Sequence, residues 1–466
     1  MRGKQIASTI LVLTLLSFSG CSTVPQPTIE ELLSEVNAEH QKVEKGNLDA
    51  SQYIGELVDY EQRKSYYNKS ENAEEYNPEK ILTQQQAIED VNFLFDAFHD
   101  CYGPYEYFGG AKVFDIAEEK IKQELKTKKT LTGADLEKIL LENLKFIEDG
   151  HFKINMKNLN PTKIPFFFCE VAFIKTEEGY QTTDGKKVQS VEGYNNLDEL
   201  MKRSVSPDGE LVYCPVLLKD CEFEKALQSP QNCNETLTVH YTDGKVQKLT
   251  AEPYQVYTEF DLENSENNQI TEFYKNENIP VFQFNQFAAD YAEEILEGAT
   301  KLKDESVAIL DLRSNGGGSP QLVPKWLNEY SSNTVPSNRY VIDTKSGKRE
   351  NTRKDNWVQN DNLLIILVGK SSGSASELFL DYAYNLENIL IVGENTRGAL
   401  IGSLSTIYLP NSVCEVNIGA DGRLCILPEE NDYFEELRGF YPDIWVPAGE
   451  AEEAAINLIN NINNMN

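Results

Sequence analysis

GKSSGSASELF, residues 369–379, sets several serines between the apolar run LLIILV and a helical pattern. Ser374 and Glu377 make an S-x-x-E capping box there, which alone defines a strand-to-helix turn. The same place is the positive end of a helix, where the Ala375 N–H can donate to a developing oxyanion. A serine hydroxyl is a poor nucleophile by itself, so the chemical reading requires a base from elsewhere in the chain.

Three further stretches hold residues suited to that task. In VAILDLRSNGGGSP, residues 307–320, a buried strand runs into Gly316, Gly317 and Gly318. Glycines let a backbone approach a ligand closely with its N–H groups unobstructed, although a flexible turn explains them equally well. The phosphate-loop patterns are absent. In FIEDGHFKI, residues 146–154, His151 follows a helix stop and precedes a strand-like run. The chain has four histidines, His40, His99, His151 and His240, and His151 is the best placed to serve a serine. A structural role is the alternative. In FEELRGFYPDIWVP, residues 434–447, an acid can orient an imidazole and balance its charge. The run Glu429, Glu430, Asp432, Glu435 and Glu436 also reads as a solvated loop.

The elements that must position these residues follow from periodicity. Residues 83–148 show apolar positions every three or four residues, the mark of helices, and Gly150 ends the pattern. Short alternating stretches in 163–255, among them FFFCEVAFI and VHYTDGKVQ, indicate a small β-rich module with a hairpin at YTDG. From about residue 279, strand-like IPVFQF, SVAILDLR, LLIILVG and ILIVGEN alternate with helix-like segments, which indicates an α/β layer. The expected division is residues 1–20 as a leader, 21–75 as a polar tether with some helix, 76–158 as a helical subdomain, 159–255 as the β-rich module and 256–466 as the α/β core.

The formal charge of −32 over 466 residues excludes a nucleic-acid partner. MRGKQIASTILVLTLLSFSGCS has a basic start, an apolar stretch and small residues, the layout of a secretory leader. Its Phe18-Ser19-Gly20-Cys21 resembles a bacterial lipobox, with Phe18 where leucine is usual. The expectation is a chain anchored outside the cytoplasm by acylated Cys21 in a lipid bilayer; an ordinary signal peptide or an uncleaved anchor is the alternative. Of the eight cysteines, Cys414 and Cys425 flank the turn-like IGADG and could face each other across a hairpin, while Cys214, Cys221 and Cys233 cluster; spacing does not fix their connectivity. No zinc-ligand spacing occurs, and no metal or cofactor is expected.

Taken together, DLRSNGGG, GSASELF, EDGHF and the Glu-x-x-Gly-x-x-Pro-Asp element at 436–443 resemble the C-terminal-processing (tail-specific) serine peptidases. The likeness covers residues 83–447 and is closest to the branch with the tricorn core protease and the retinoid-binding repeat proteins. It implies a crotonase-like α/β core, a PDZ-like module and a polypeptide substrate. Carried over by motif, Ser374 matches the nucleophile, His151 the general base and Glu436 the acid, with Ala375 and Gly317 or its neighbour Gly316 as oxyanion donors. The family's Ser–Lys branch has a lysine after G-E-x-T-x-G; here GENTRGAL has Ala399 at that position. No Gly-Leu-Gly-Phe-type carboxylate loop is present. Two rival readings stand beside a peptidase: a carrier of apolar ligands on the same scaffold, with FFFCEVAFI lining its site, and a crotonase-like acyl-CoA enzyme.

Overall fold

The computed structural model describes residues 26–42, 48–67, 75–222, 225, 235–251, 270–351, 357–419, 421–427 and 433–465. The leader and the lipidation site at Cys21 lie outside the described residues, as do Cys233, Glu429, Glu430 and Asp432. Among the described residues no helix is long and apolar enough to cross a membrane.

Helix α1 (Ile29–Gln41) opens on its capping box: Glu31 N–H donates to Thr28 Oγ1 at 3.2 Å and Thr28 N–H to Glu31 Oε2 at 2.9 Å. This stretch of the expected tether is a packed element. Leu32 and Val36 are buried against the central sheet, and His40 Nε2 lies 2.9 Å from Asp443 Oδ1. Helices α2 (Gln84–Cys101), α3 (Gly110–Thr127) and α4 (Gly133–Asn143) follow. Ala87, Val91, Leu94 and Phe98 form one stripe of α2 and pack against Phe114 and Ile121 of α3 and Leu136 and Leu140 of α4.

The β-rich stretch contains β1 (Thr162–Phe167), β2 (Phe173–Thr176), β3 (Gly179–Thr182), β4 (Val188–Val191), β5 (Met201–Val205), β6 (Leu211–Cys221), β7 (Thr236–Tyr241) and β8 (Val246–Thr250). They form two sheets, one ordered β1-β6-β2-β3 with β5 on β6, the other β8-β7-β4. The YTDG turn closes β7 onto β8, with Gly244 at φ +85° and its N–H on Tyr241 O at 3.0 Å. Within FFFCEVAFI, Phe166, Phe168 and Phe173 are packed core of this region, beside Leu200 and Val239.

The α/β layer is built on β9 (Thr271–Asn276), β10 (Ile279–Phe284), β11 (Val307–Asp311), β12 (Leu363–Val368), β13 (Ile389–Gly393) and β14 (Ile444–Trp445), hydrogen-bonded in that order. Only β9–β10 is antiparallel. Its helices are α5 (Ala292–Leu302), α6 (Leu322–Ser331), α7 (Ala375–Ala383) and α8 (Ala451–Met465). Leu364, Ile366 and Val368 of β12 join Ile295, Trp326 and Phe379 of α5, α6 and α7. Leu363, Ile365 and Leu367 join Leu32 of α1 and Ile456 and Ile459 of α8 on the opposite face. A strand covered on both faces has no polar side to show, which is why LLIILV lacks alternation. The chain is a mixed α/β protein.

The expected Cys414–Cys425 hairpin does not form. Strand Glu415–Ile418 pairs with Ser405–Tyr408 and Lys153–Ile154, whereas Arg423–Ile426 pairs with Tyr340–Asp343. The strands that end at Ile418 and begin at Arg423 thus belong to different sheets, and both thiols are free and buried. A different pair comes close: Cys169 Sγ and Cys214 Sγ are 3.4 Å apart. They face each other just past the end of the β1–β6 ladder, beyond the bond from Phe168 N–H to Pro215 O at 3.1 Å.

Candidate active site

Strands β11 and β12 are adjacent and parallel, so the loops at their carboxyl ends emerge side by side, the usual place for a site in such a sheet. One loop is the glycine run, the other the turn into α7. Asn315, fully buried, joins them. Its carbonyl accepts Gly373 N–H at 3.1 Å and the Ser376 hydroxyl at 2.8 Å, and its amide donates to Phe284 O at 3.0 Å. Its Oδ1 accepts Gly317 N–H at 3.0 Å. Gly317 must be glycine: φ is +110°, and a Cβ there would meet Ser374 Cβ at 2.7 Å. Gly316 is exposed beside it.

Ser374 stands at the mouth of this pair of loops with φ +54° and ψ −110°, outside the regions an L-residue favours. Its N–H donates to Glu377 Oε2 at 2.9 Å. Ala375, the other expected donor, begins α7 directly after it. The fully buried Glu377 does more than cap: Oε1 accepts the Thr396 hydroxyl and Gly398 N–H, each at 2.6 Å, and Oε2 accepts Ala399 N–H at 2.8 Å. One carboxylate thus fastens the GENTRGAL loop to the serine turn.

His151 arrives from the other end of the chain. Its Nε2 lies 3.0 Å from Ser374 Oγ, across a sequence separation of 223 residues. The corner that carries it is pressed against the GENTRGAL loop: a Cβ on Gly150 would lie 2.2 Å from Gly398 O and 2.8 Å from Ala399 Cβ. The position where the Ser–Lys branch has its lysine is therefore held by alanine against the corner that delivers the histidine.

Glu436 is brought to the same corner, but on its backbone. Its Oε1 accepts Gly150 N–H at 2.9 Å, and its Oε2 accepts the N–H groups of Leu400 and Ile401, each at 3.1 Å. The residue is partly exposed while its carboxyl is turned inward; desolvation, then the charge of Asp149, raise that carboxyl well above the usual carboxylate range. Asp149 is the acid nearer the imidazole, with Oδ1 at 3.7 Å from His151 Nδ1. Lys370 braces the floor, its Nζ 2.6 Å from Thr396 O and within 3.5 Å of Arg397 O and Arg438 O. Burial lowers its ammonium to about 7. Asn315, Asp149 and Lys370 lie inside the stretches that drew notice in the sequence. Their tasks depend on partners far along the chain, which no local pattern reveals. A hydroxyl, an imidazole and a glycine-lined loop so arranged suit acyl transfer.

Residues 278–444 match the model described as peptidase family S41. The chain is 31% identical over 131 residues to a probable CtpA-like serine protease of Staphylococcus haemolyticus, over 27% of this chain and 26% of that protein. It is 28% identical over 211 residues to a carboxyl-terminal-processing protease of Synechocystis sp., over 41% of this chain and 46% of that protein. The chain thus spans less than half the length of these curated relatives. Among solved structures, mature CPAF complexed with lactacystin matches with a TM-score of 0.40 and 12% identity, over 82% of this chain and 99% of that one. Residues 278–444 of this chain are thus similar to peptidase family S41, and the chain is similar over part of its length to C-terminal-processing serine peptidases.

Proposed function

We propose that this chain is a serine peptidase that hydrolyses peptide bonds by acyl transfer. The observation that carries the reading is the 3.0 Å approach of His151 Nε2 to Ser374 Oγ. His151 takes the hydroxyl proton as Ser374 attacks the peptide carbonyl, then gives it to the leaving amine; water enters by the same route to release the acyl group. The tetrahedral oxyanion falls to Ala375 N–H and the Gly316–Gly317 loop. Since Gly317 N–H rests on Asn315 Oδ1, its use there requires that bond to yield to the oxyanion. Glu436, the third expected member of the triad, serves by fixing the corner through Gly150. The six-stranded layer is read as a crotonase-like core and the β-rich region as a PDZ-like module that presents polypeptide to it. The carrier reading loses its proposed lining, because Phe166, Phe168 and Phe173 are packed core.

The test is to incubate the protein and its Ser374→Ala and His151→Ala variants with an unfolded polypeptide and read the products by mass spectrometry. The expected result is cleavage by the parent, none by Ser374→Ala, and a loss of about 10²–10⁴-fold for His151→Ala. Equal cutting by parent and Ser374→Ala would remove the peptidase reading. We also propose an extracytoplasmic, lipid-anchored location through Cys21, resting on the lipobox-like Phe18-Ser19-Gly20-Cys21. The intact mass of protein taken from bacterial membranes checks it: the absence of an acyl increment on a Cys21-initiated chain rules it out.

A further inference from the structure

The two inward carboxyl groups at the histidine corner do different things. All the acceptor bonds described for Glu436 go to backbone amides, those of Gly150, Leu400 and Ile401. Asp149 instead accepts the backbone N–H of His151 on Oδ1 at 2.8 Å and the Tyr102 hydroxyl on Oδ2 at 2.8 Å. That leaves its Oδ1 at 3.7 Å from His151 Nδ1, a ring nitrogen that is buried and makes no hydrogen bond. A buried polar atom without a partner calls for an explanation, and here it lies on the side of the ring opposite the serine. The walls around Asp149 are tight: a Cβ on Gly402 would stand 2.6 Å from its Oδ2. Asp149 is 4% exposed and Tyr102 is fully buried, so the pair is shielded from the water that would weaken it.

We propose that Asp149, braced by Tyr102, is the carboxylate that orients the His151 ring and balances its charge, while Glu436 positions the corner only through the backbone. The proposal rests on the Ser374–His151 reading above. When the Ser374 proton passes to Nε2, the imidazolium spreads its charge to Nδ1–H, directly beside Oδ1. The 3.7 Å separation is about 1 Å longer than the ~2.8 Å of a charged hydrogen bond, which is the distance the imidazolium would close. Burial, then the charge of Asp149, push the Glu436 carboxyl above the usual carboxylate range. Two other charged groups lie nearby. Glu377 is bonded to Ser374, Thr396, Gly398 and Ala399, and the Arg397 side chain runs along Gly373. Neither is altered by the substitutions below.

The test compares Asp149→Asn with Glu436→Gln, each also made in a Ser374→Ala background. In the active background, Asp149→Asn is expected to lower kcat by about 10²–10⁴-fold with KM little changed, as when a triad loses its acid. Glu436→Gln keeps an acceptor for Gly150 and is expected to cost less than about tenfold. In the Ser374→Ala background, NMR titration of the His151 ring, assigned by its loss in His151→Gln, gives a readout without catalysis. Its midpoint should fall in Asp149→Asn, because a neighbouring carboxylate favours the charged ring, and should stay in place in Glu436→Gln. Tyr102→Phe should move it in the same direction by less, and serves if Asp149→Asn does not fold. A midpoint that moves with Glu436→Gln alone, or with neither variant, overturns the assignment. If the parent enzyme cleaves nothing but the midpoints move as stated, the peptidase reading fails while the Asp149–His151 pairing stands.

Discussion

Ser374 is one of the non-glycine residues held at positive φ. With φ +54° and ψ −110° it holds a conformation that costs an L-residue about 1–3 kcal/mol, a strain typical of groups held for chemistry. That strain is separable from the hydroxyl. Ser374→Ala deletes the Oγ and keeps the Cβ, whereas Ser374→Gly removes both and releases the conformation. Both variants should be silent in hydrolysis, but Ser374→Gly should be more stable than Ser374→Ala by about 1 kcal/mol or more in denaturant unfolding. Equal midpoints would mean that the turn is not strained. The strain was hidden in GKSSGSASELF, because a capping box and a strained nucleophile turn share one spelling. Ala399 in GENTRGAL stands where a lysine would serve a Ser–Lys pair, and in the fold a Cβ on Gly150 would lie 2.8 Å from its Cβ.

At the scale of elements, the site depends on loops being fastened to each other more than on any one strand. Glu377 ties the serine turn to residues 396–399, Glu436 ties the histidine corner to residues 400–401, and Lys370 joins the carbonyls of Thr396, Arg397 and Arg438. A lysine whose ammonium is lowered to about 7 by burial makes a checkable contribution to stability. Its folded value lies below its unfolded one, so between pH 7 and about 10.5 the unfolded chain binds more protons and folding gains as pH rises. The unfolding free energy of the parent, taken relative to Lys370→Met, should therefore increase across that window and be least favourable below pH 7. A flat difference would show that the ammonium is not desolvated. The strands and helices behind these loops were readable from apolar period and caps, as LLIILV and the capping box of Ser374 with Glu377 illustrate. The fastenings were not, since each joins residues that local sequence keeps far apart. The Cys414–Cys425 expectation failed for the same reason: IGADG looks like a hairpin turn, and only the competing partners at Lys153–Ile154 and Tyr340–Asp343 pull its strands into different sheets.

The whole molecule is organised around one parallel layer whose two faces are sealed by different parts of the chain. Helices α5, α6 and α7 cover one face from within the layer's own sequence, while the other is closed by α8 from the C-terminal end and α1 from the N-terminal end. Read as sequence, α1 belongs to a polar tether, because its exposed side is rich in glutamate. In the fold it brings Leu32 and Val36 to the sheet, places Asn37 at Asn388 and sets His40 on Asp443. The other oxygen of Asp443 accepts Ile391 N–H at 2.7 Å, so the helix is linked to β13 and to the segment that begins at Glu436. The tether and packed-helix readings differ in what removal of residues 1–42 should do. A tether could be cut without consequence for stability. A packed helix that buries two large aliphatic side chains should cost about 3–6 kcal/mol when deleted, at roughly 1.5–3 kcal/mol for each. Substituting Leu32 and Val36 by serine in the full chain should reproduce much of that loss without shortening it. Chemical unfolding of the three proteins decides between the readings: unchanged midpoints would return α1 to the role of a spacer. A shared drop would make the N-terminal segment part of the scaffold that holds Asp443, and through it the Glu436 loop, in place.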